Sequence, residues 1–388
     1  MVILGIIVEY NPFHNGHLHH LNTAKRITKA DFTVAIMSGN FLQRGLPACL
    51  DKHTRTELAL KYGVDIVIEL PVLYAVSAAN YFAKGAVALL NAIGADYLVF
   101  GAETEELSIL ENLANIGQDE DFVSELHKNL NQGFSYSHAQ RLALRAITPP
   151  NCLSENRLSP NNILGIEYLR ALKQTNSQIK PLIINRDQSY TSATEINKII
   201  LAGGTVENSV PEATLNALRS THTTTLDNYS QIFHYKLLSE NKNLSEFLDI
   251  TEGIENRIIK KSKEHFLLTD ILDAVKTKRY TQAKLQRIAA HILLDIKKTD
   301  MASWPTPPYM RVLGFKKTAA KLLGKAGLPL VTNVHKAPHH PLLQKDIMAE
   351  DIYYLGAVLY NKRSLTGSYA CEVKRCRPTK PQFPIILK

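Results

Sequence analysis

The stretch VILGIIVEYNPFHNGHLHHL (2–21) decides the fold. Its first seven residues form a continuous apolar run rich in β-branched side chains, as a central parallel strand buried on both faces requires. After the turn, LHHLNTAKRI places Leu18, Leu21 and Ala24 at helical spacing, so an amphipathic helix is expected to begin near His17. Strand, short loop and helix in that order open an α/β sheet.

The alternation continues. FTVAIM (32–37) reads as a second strand, and a helix is expected from Asp51 through KHTRTELALKYG. VDIVIELP (64–71) is a third strand closed by Pro71, and AANYFAKGAVALLNAIG is a helix stopped at Gly94. ADYLVFGAE supplies the fourth strand. Beyond a charged helical stretch from Glu105 to about Thr148, Ser159-Pro160 starts another helix, IKPLIINR (179–186) reads as a fifth strand, and SATEINKIILAGG closes with a helix. This predicts a doubly wound parallel sheet in residues 1–205, followed by a mostly helical, basic domain over 206–388. WPTPPY (304–309) reads as a linker, and RPTKPQFPIILK as a Pro-rich basic tail without a long helix.

The chain's 388 residues contain 45 Lys plus Arg against 36 Asp plus Glu, a formal charge of +9 that favours a polyanionic partner such as nucleic acid. Cys49, Cys152, Cys371 and Cys376 make neither a disulfide framework nor a zinc pair, so reduced thiols are expected. Glu9 and Asn11 interrupt the first apolar run long before a membrane could be spanned, and no basic segment precedes it. A cytoplasmic protein with no membrane partner is expected.

In an open parallel sheet, ligands bind outside the carboxyl ends of the strands near a switch in strand order. EYNPFHNGH follows the first strand and so lies at such a position. Gly16 would let the backbone approach a ligand, and the helix behind it would aim free amides and its positive dipole end at an anion. His14 and His17 add side-chain donors, best used where charge moves from an α-phosphorus to departing pyrophosphate. A metal pair is the rival reading of His-x-x-His; His19 and His20 also follow, but no acidic or cysteine ligand accompanies them at a familiar spacing, so no metal site is expected.

The strand, NPFHNGH and the helix after it resemble the HxGH signature of the nucleotidyltransferase superfamily that includes class I aminoacyl-tRNA synthetases. With MSGNFLQRGLPA (37–48), DIVIELP (65–71), LSPNNILGIEYL (158–169), SATEINK (192–198), KRYTQAKLQR (278–287) and YMRVLGF (309–315), the chain resembles the tRNA(Met) cytidine acetate ligase family from residue 2 to about 315. That resemblance implies activation of acetate by ATP to acetyl-adenylate, releasing pyrophosphate, and acetyl transfer to N4 of the wobble cytidine of elongator tRNA(Met). Mg2+ is expected to arrive with the ATP. The family's nucleotide site maps onto Ile7, Val8, Glu9, Tyr10, Asn11, Pro12, Phe13, His14, Asn15, Gly16, His17, Leu18, His19 and His20, with Gly101, Asn162 and Arg186; His14 and His17 carry the catalytic role. Gly101 would permit close approach, Asn162 would read a base or ribose edge or else cap a helix, and Arg186 would pair with phosphate. Asn197 stands where the family's SxTxxR-type block usually has arginine.

The second loop, SGNFLQRG (38–45), is a further candidate for holding acetate or cytidine, with an ordinary β-to-α connection as its alternative. For the RNA, Lys278, Arg279, Tyr280 and Arg287, then Arg311, Lys316 and Lys317, combine cations with aromatic rings as backbone neutralisation and base stacking require. Each block alone would be a solvated helix face. Two other functions remain open at this level: a small-molecule adenylyltransferase of cofactor synthesis, and a non-catalytic RNA-binding protein on a nucleotide fold.

Overall fold

A computed structural model describes residues 1–116, 119–134, 136–147, 159–221, 223–360 and 384–387. Five parallel strands, β1 (Ile3–Val8), β2 (Phe32–Ser38), β3 (Ile66–Leu70), β4 (Tyr97–Ala102) and β5 (Lys180–Asn185), lie in the order β5-β4-β1-β2-β3. The order reverses between β1 and β4, which opens a crevice at their carboxyl ends. These are the five strands read from the sequence, and their apolar runs are explained by burial on both faces. Val34 and Ile36 of β2 enter one core with Ile66, Ile68 and Phe100, while Ala35 and Met37 enter the other with Leu4, Ile6 and Val67.

Helix α1 (Asn15–Thr28) follows β1, and α2 (Lys52–Lys61) follows β2, capped by the Asp51 carboxylate on the His53 and Thr54 amides. The helix Ala79–Ile93 stops where Gly94 adopts a left-handed φ of 74°. Pro160–Gln174 and Ala193–Leu201 begin after Ser159 and Ser192, as expected.

The sheet does not end with residue 205. β6 (Met310–Lys316) pairs antiparallel with β3, and β7 (Leu330–Val331) and β8 (Ile385–Leu387) pair with the far edge of β6. The sheet therefore runs across the boundary expected near 205. YMRVLGF is an apolar run because it is this strand, and the tail of the chain returns as its neighbour. The described helices between 212 and 303 form a layer whose His291, fully buried in Gln282–Leu293, lies between the Leu248 and Val76 carbonyls at 2.8 and 2.9 Å, its single N–H donating to one of them. Cys152, Cys371, Cys376 and the EVKRCRPTK stretch lie outside the described residues; Cys49 is buried.

Candidate active site

The loop from Glu9 to His14 leaves β1 at the crevice. His14 is the N-cap of α1: its extended backbone ends the loop, and its Nδ1 accepts the Gly16 amide at 3.1 Å. That bond leaves the proton on Nε2, and no described residue accepts from it. Nδ1 of His17 faces the His14 amide at 3.4 Å, closing a reciprocal cap. The two rings stack at 3.7 Å, and Tyr10 meets His17 edge-on at 5.0 Å. Burial first, then the Arg186 charge, lowers the pKa of His14 to about 4. His17 is held well below the ordinary histidine range by burial, then by His14, His20 and Arg186. Both rings are therefore neutral at pH 7; the His17 ring is engaged with the His14 amide and the Pro12 backbone, and the His14 Nε2–H is the donor left to the crevice.

Three expectations about this loop change. The first amides of α1 are not free: Asn15 N donates to the Ser209 carbonyl at 3.0 Å, Gly16 N to His14, and His17 N to the His14 carbonyl at 2.9 Å. The Asn15 side chain adds a bond to the Asn208 carbonyl, so residues 208–209 lie across the helix start. Gly16 serves packing: a Cβ there would stand 2.9 Å from His14 Cε1 and 3.3 Å from Tyr190 Cβ. Tyr10 and Phe13 are buried in the core with Pro12 beside them, Phe13 stacking on Tyr62 at 5.1 Å, so they form scaffold within the segment Ile7–His20.

Across the crevice, Arg186 follows β5 and stays 44% exposed while its Nη1 pairs with Glu103 at 3.2 Å. Glu103 is a hub missed by the sequence reading; it also accepts from Ser159 and Asn161 at the start of the next helix. Gly101 lies beside this arginine: a Cβ there would stand in ordinary contact with Arg186 Cγ at 3.4 Å. Asn162, in the first turn of the helix, is fully buried and its Oδ1 accepts the Glu103 amide at 2.9 Å, a bond that ties this helix to the end of β4 and does not cap the helix itself.

Asn197, in the position where arginine was expected, donates to the Asn11 carbonyl at 2.8 Å and to Ala193 at 3.0 Å. It pins the first loop from the side of the SATEINK helix. The second loop is largely scaffold. Asn40 accepts the Lys52 amide, and Gln43 donates its amide to Glu9 at 2.8 Å and its side chain to the Ser77 carbonyl. A Cβ on Gly39 would collide with Glu69 Oε1, and Gly45, at φ 77°, lies against the Gln286–Arg287 backbone. Arg44 alone of its polar side chains is exposed. Burial raises the Glu9 carboxyl, an effect opposed by the Gln43 amide, Arg55 and Arg44.

Over nearly its whole length the chain is similar to known proteins. A model of the HIGH nucleotidyl transferase family matches residues 1–366. A tRNA(Met) cytidine acetate ligase of Thermoanaerobacter sp. (strain X514) is 40% identical, covering 95% of this chain and 98% of the relative. The chain belongs to this family. Its counterpart in Caldanaerobacter subterraneus subsp. tengcongensis is 40% identical over 92% of the chain and 95% of that protein. The crystal structure of Thermotoga maritima TmcAL bound with alpha-thio ATP is 31% identical with a TM-score of 0.87, covering both chains fully.

Among the described residues, no group of three or more His, Cys, Asp or Glu is placed to hold a metal ion, and no helix is long and apolar enough to cross a membrane. The RNA-binding residues read from the sequence fare unequally. Arg311 is buried, 3% exposed, between Glu69 at 3.1 Å and Glu350 at 3.0 Å, in a cluster that includes Lys52. Enclosed in this cluster, its guanidinium is not open to a partner at the surface. Lys316 pairs with Asp65 at 3.0 Å, and β6 runs antiparallel, so Lys316 and the exposed Lys317 lie at the amino ends of the parallel strands, away from the crevice. Tyr280 is 6% exposed and bound to Thr251, so its face is not open for stacking. Arg287 pairs with Asp249 at 2.9 Å and Arg279 with Glu252; Lys278 is exposed.

Proposed function

We propose that this protein activates acetate with ATP as acetyl-adenylate and transfers the acetyl group to N4 of the wobble cytidine of elongator tRNA(Met). The observation that carries the reading is the His14–His17 pair, set neutral at the carboxyl end of β1 opposite Arg186, in a chain 40% identical end to end to tRNA(Met) cytidine acetate ligases. Acetate attacks the α-phosphorus and pyrophosphate departs with the electron pair. The His14 Nε2–H and the Arg186 guanidinium are the donors available to the charge that develops on the phosphates. Any Mg2+ would arrive on the triphosphate oxygens, since the crevice supplies no carboxylate cluster among the described residues. A reaction on tRNA is in keeping with a cytoplasmic protein.

Residues 1–205 would carry the adenylating chemistry, and the helical layer from 206 would carry RNA. Its packing against the first half, where Gly45 meets Gln286 and Arg287, sets the 278–287 block beside the second loop. The exposed cations there continue from Lys278 and Lys276 to Arg257, whose guanidinium reaches the Ala274 carbonyl, then to Lys260 and Lys263 on and after Ile254–Ser262. This track replaces Arg311, Lys316 and Lys317 as the RNA face.

Acetate-dependent ATP–pyrophosphate exchange tests the first half-reaction. A small-molecule adenylyltransferase would instead adenylylate a phosphorylated acceptor without acetate, and an RNA-binding protein alone would turn over no ATP.

A further inference from the structure

Arg55, in the first turn of α2, is the largest fully buried side chain in the described structure. Among the described residues no carboxylate lies within ion-pair distance of it. Its donors go instead to backbone carbonyls: Nε to Leu50 at 3.0 Å, Nη1 to Glu9 at 2.6 Å and Ser38 at 3.1 Å, and Nη2 to Gly39. A buried guanidinium is costly without good partners, so four carbonyl dipoles drawn to one fork is a demanding arrangement. These acceptors are not scattered. Glu9 is where the first loop leaves β1, Ser38 and Gly39 are where the second loop leaves β2, and Leu50 is where the second loop ends.

Two further bonds join the same loops above the arginine. Glu9 Oε1 accepts the Gln43 amide at 2.8 Å, and Asn11 Oδ1 accepts the Cys49 amide at 2.7 Å. We propose that Arg55 is a positioning residue: it fixes the two loops at the carboxyl ends of β1 and β2 as one unit, so that the histidine loop and the Arg44 loop present a single preset geometry to the reacting nucleotide. The inference rests on the adenylation proposed above. Arg55 itself touches no substrate. Its effect belongs on the chemical step, because a misplacement of about 1 Å can cost about a hundredfold in rate while leaving much of the binding intact.

The test is Arg55→Lys, which keeps the positive charge but lacks the planar fork, assayed by acetate-dependent ATP–pyrophosphate exchange per folded molecule. The expected result is a kcat lower by about a hundredfold with the KM for ATP changed less than about threefold, and a native circular dichroism spectrum. A purely structural arginine would lower the folded fraction and leave kcat and KM per folded molecule as in the parent, and that result overturns the inference. Should the lysine variant not fold, Asn11→Ala decides: it removes the bond to Cys49 from the open side of the loop and must show the same kcat-selective loss. Normal kcat in that variant overturns the inference. Absence of acetate-dependent exchange in the parent protein would instead overturn the proposed function and leave the loop geometry untouched.

Discussion

The His14 and His17 rings stack with centroids 3.7 Å apart and planes inclined by 27°, each ring bonded to an amide of the turn that carries the other. The stacking sets each ring's rotamer before a nucleotide arrives, while burial, with Arg186 nearby, keeps either ring from readily taking a proton.

The pH dependence has a definite sign. In the free protein His14 titrates near pH 4, pushed down by burial and by Arg186. Bound phosphate charge favours the imidazolium, so the pKa in the complex is higher than in the free state and nucleotide binding takes up protons. ATP affinity will therefore tighten as pH falls from neutrality towards about 4, more in the parent than in His14→Gln. Isothermal titration in buffers of different ionisation enthalpy measures the uptake; identical uptake in parent and variant would contradict it.

Gly16→Ala will disturb the cap and not the fold. The added methyl meets the His14 ring at 2.9 Å and Tyr190 at 3.3 Å, and overpacking of this kind costs about 1–3 kcal/mol. ATP affinity is expected to fall by roughly tenfold or more, with far-ultraviolet circular dichroism unchanged. Retained affinity would mean the His14 ring is free to move aside.

Arg311 and the lysine track separate stability from RNA binding. Arg311→Met leaves Glu69 and Glu350 short of a counter-charge in a buried cluster, and such a loss costs about 3–5 kcal/mol. Urea unfolding should show it, while the folded fraction binds tRNA normally. Replacing Arg257, Lys260 and Lys278 with alanine should do the reverse, weakening tRNA binding and flattening its salt dependence by about one unit of slope for each phosphate no longer neutralised. Equal salt slopes in variant and parent would move the RNA face elsewhere.

Asn197→Ala removes the side-chain bond to the Asn11 carbonyl. A neutral bond of this kind contributes about 0.5–1.5 kcal/mol, so a few-fold loss of ATP affinity is expected in equilibrium binding. A loss of about a thousandfold, more than 4 kcal/mol by the same conversion, would instead mark Asn197 as a direct phosphate ligand.

The fold was legible wherever burial was two-sided. Runs such as ILGIIV and FTVAIM leave no other reading, and Asp51, Gly94 and Ser159 mark helix ends through chemistry confined to a few residues. β6 was hidden because its basic flank, Arg311 with Lys316 and Lys317, reads as a solvated surface; only the carboxylates Glu69, Glu350 and Asp65, far away in sequence, reveal Arg311 and Lys316 as members of ion pairs. The site was legible in part. HNGH announces itself by position after β1, but Glu103 and Arg55 read as ordinary polar residues until the strands bring Arg186 to one and three strand-end carbonyls to the other. The satisfied amides of α1 could not be foreseen either, because their partner Ser209 lies far downstream in the chain.

The most direct test of the central claim is incubation of the protein with ATP, labelled acetate and total tRNA, followed by nucleoside analysis. Labelled N4-acetylcytidine is expected only in elongator tRNA(Met), formed only with ATP and lost in His17→Ala while tRNA binding is retained. Labelled acetate absent from cytidine, or N4-acetylcytidine formed equally by His17→Ala, would contradict it.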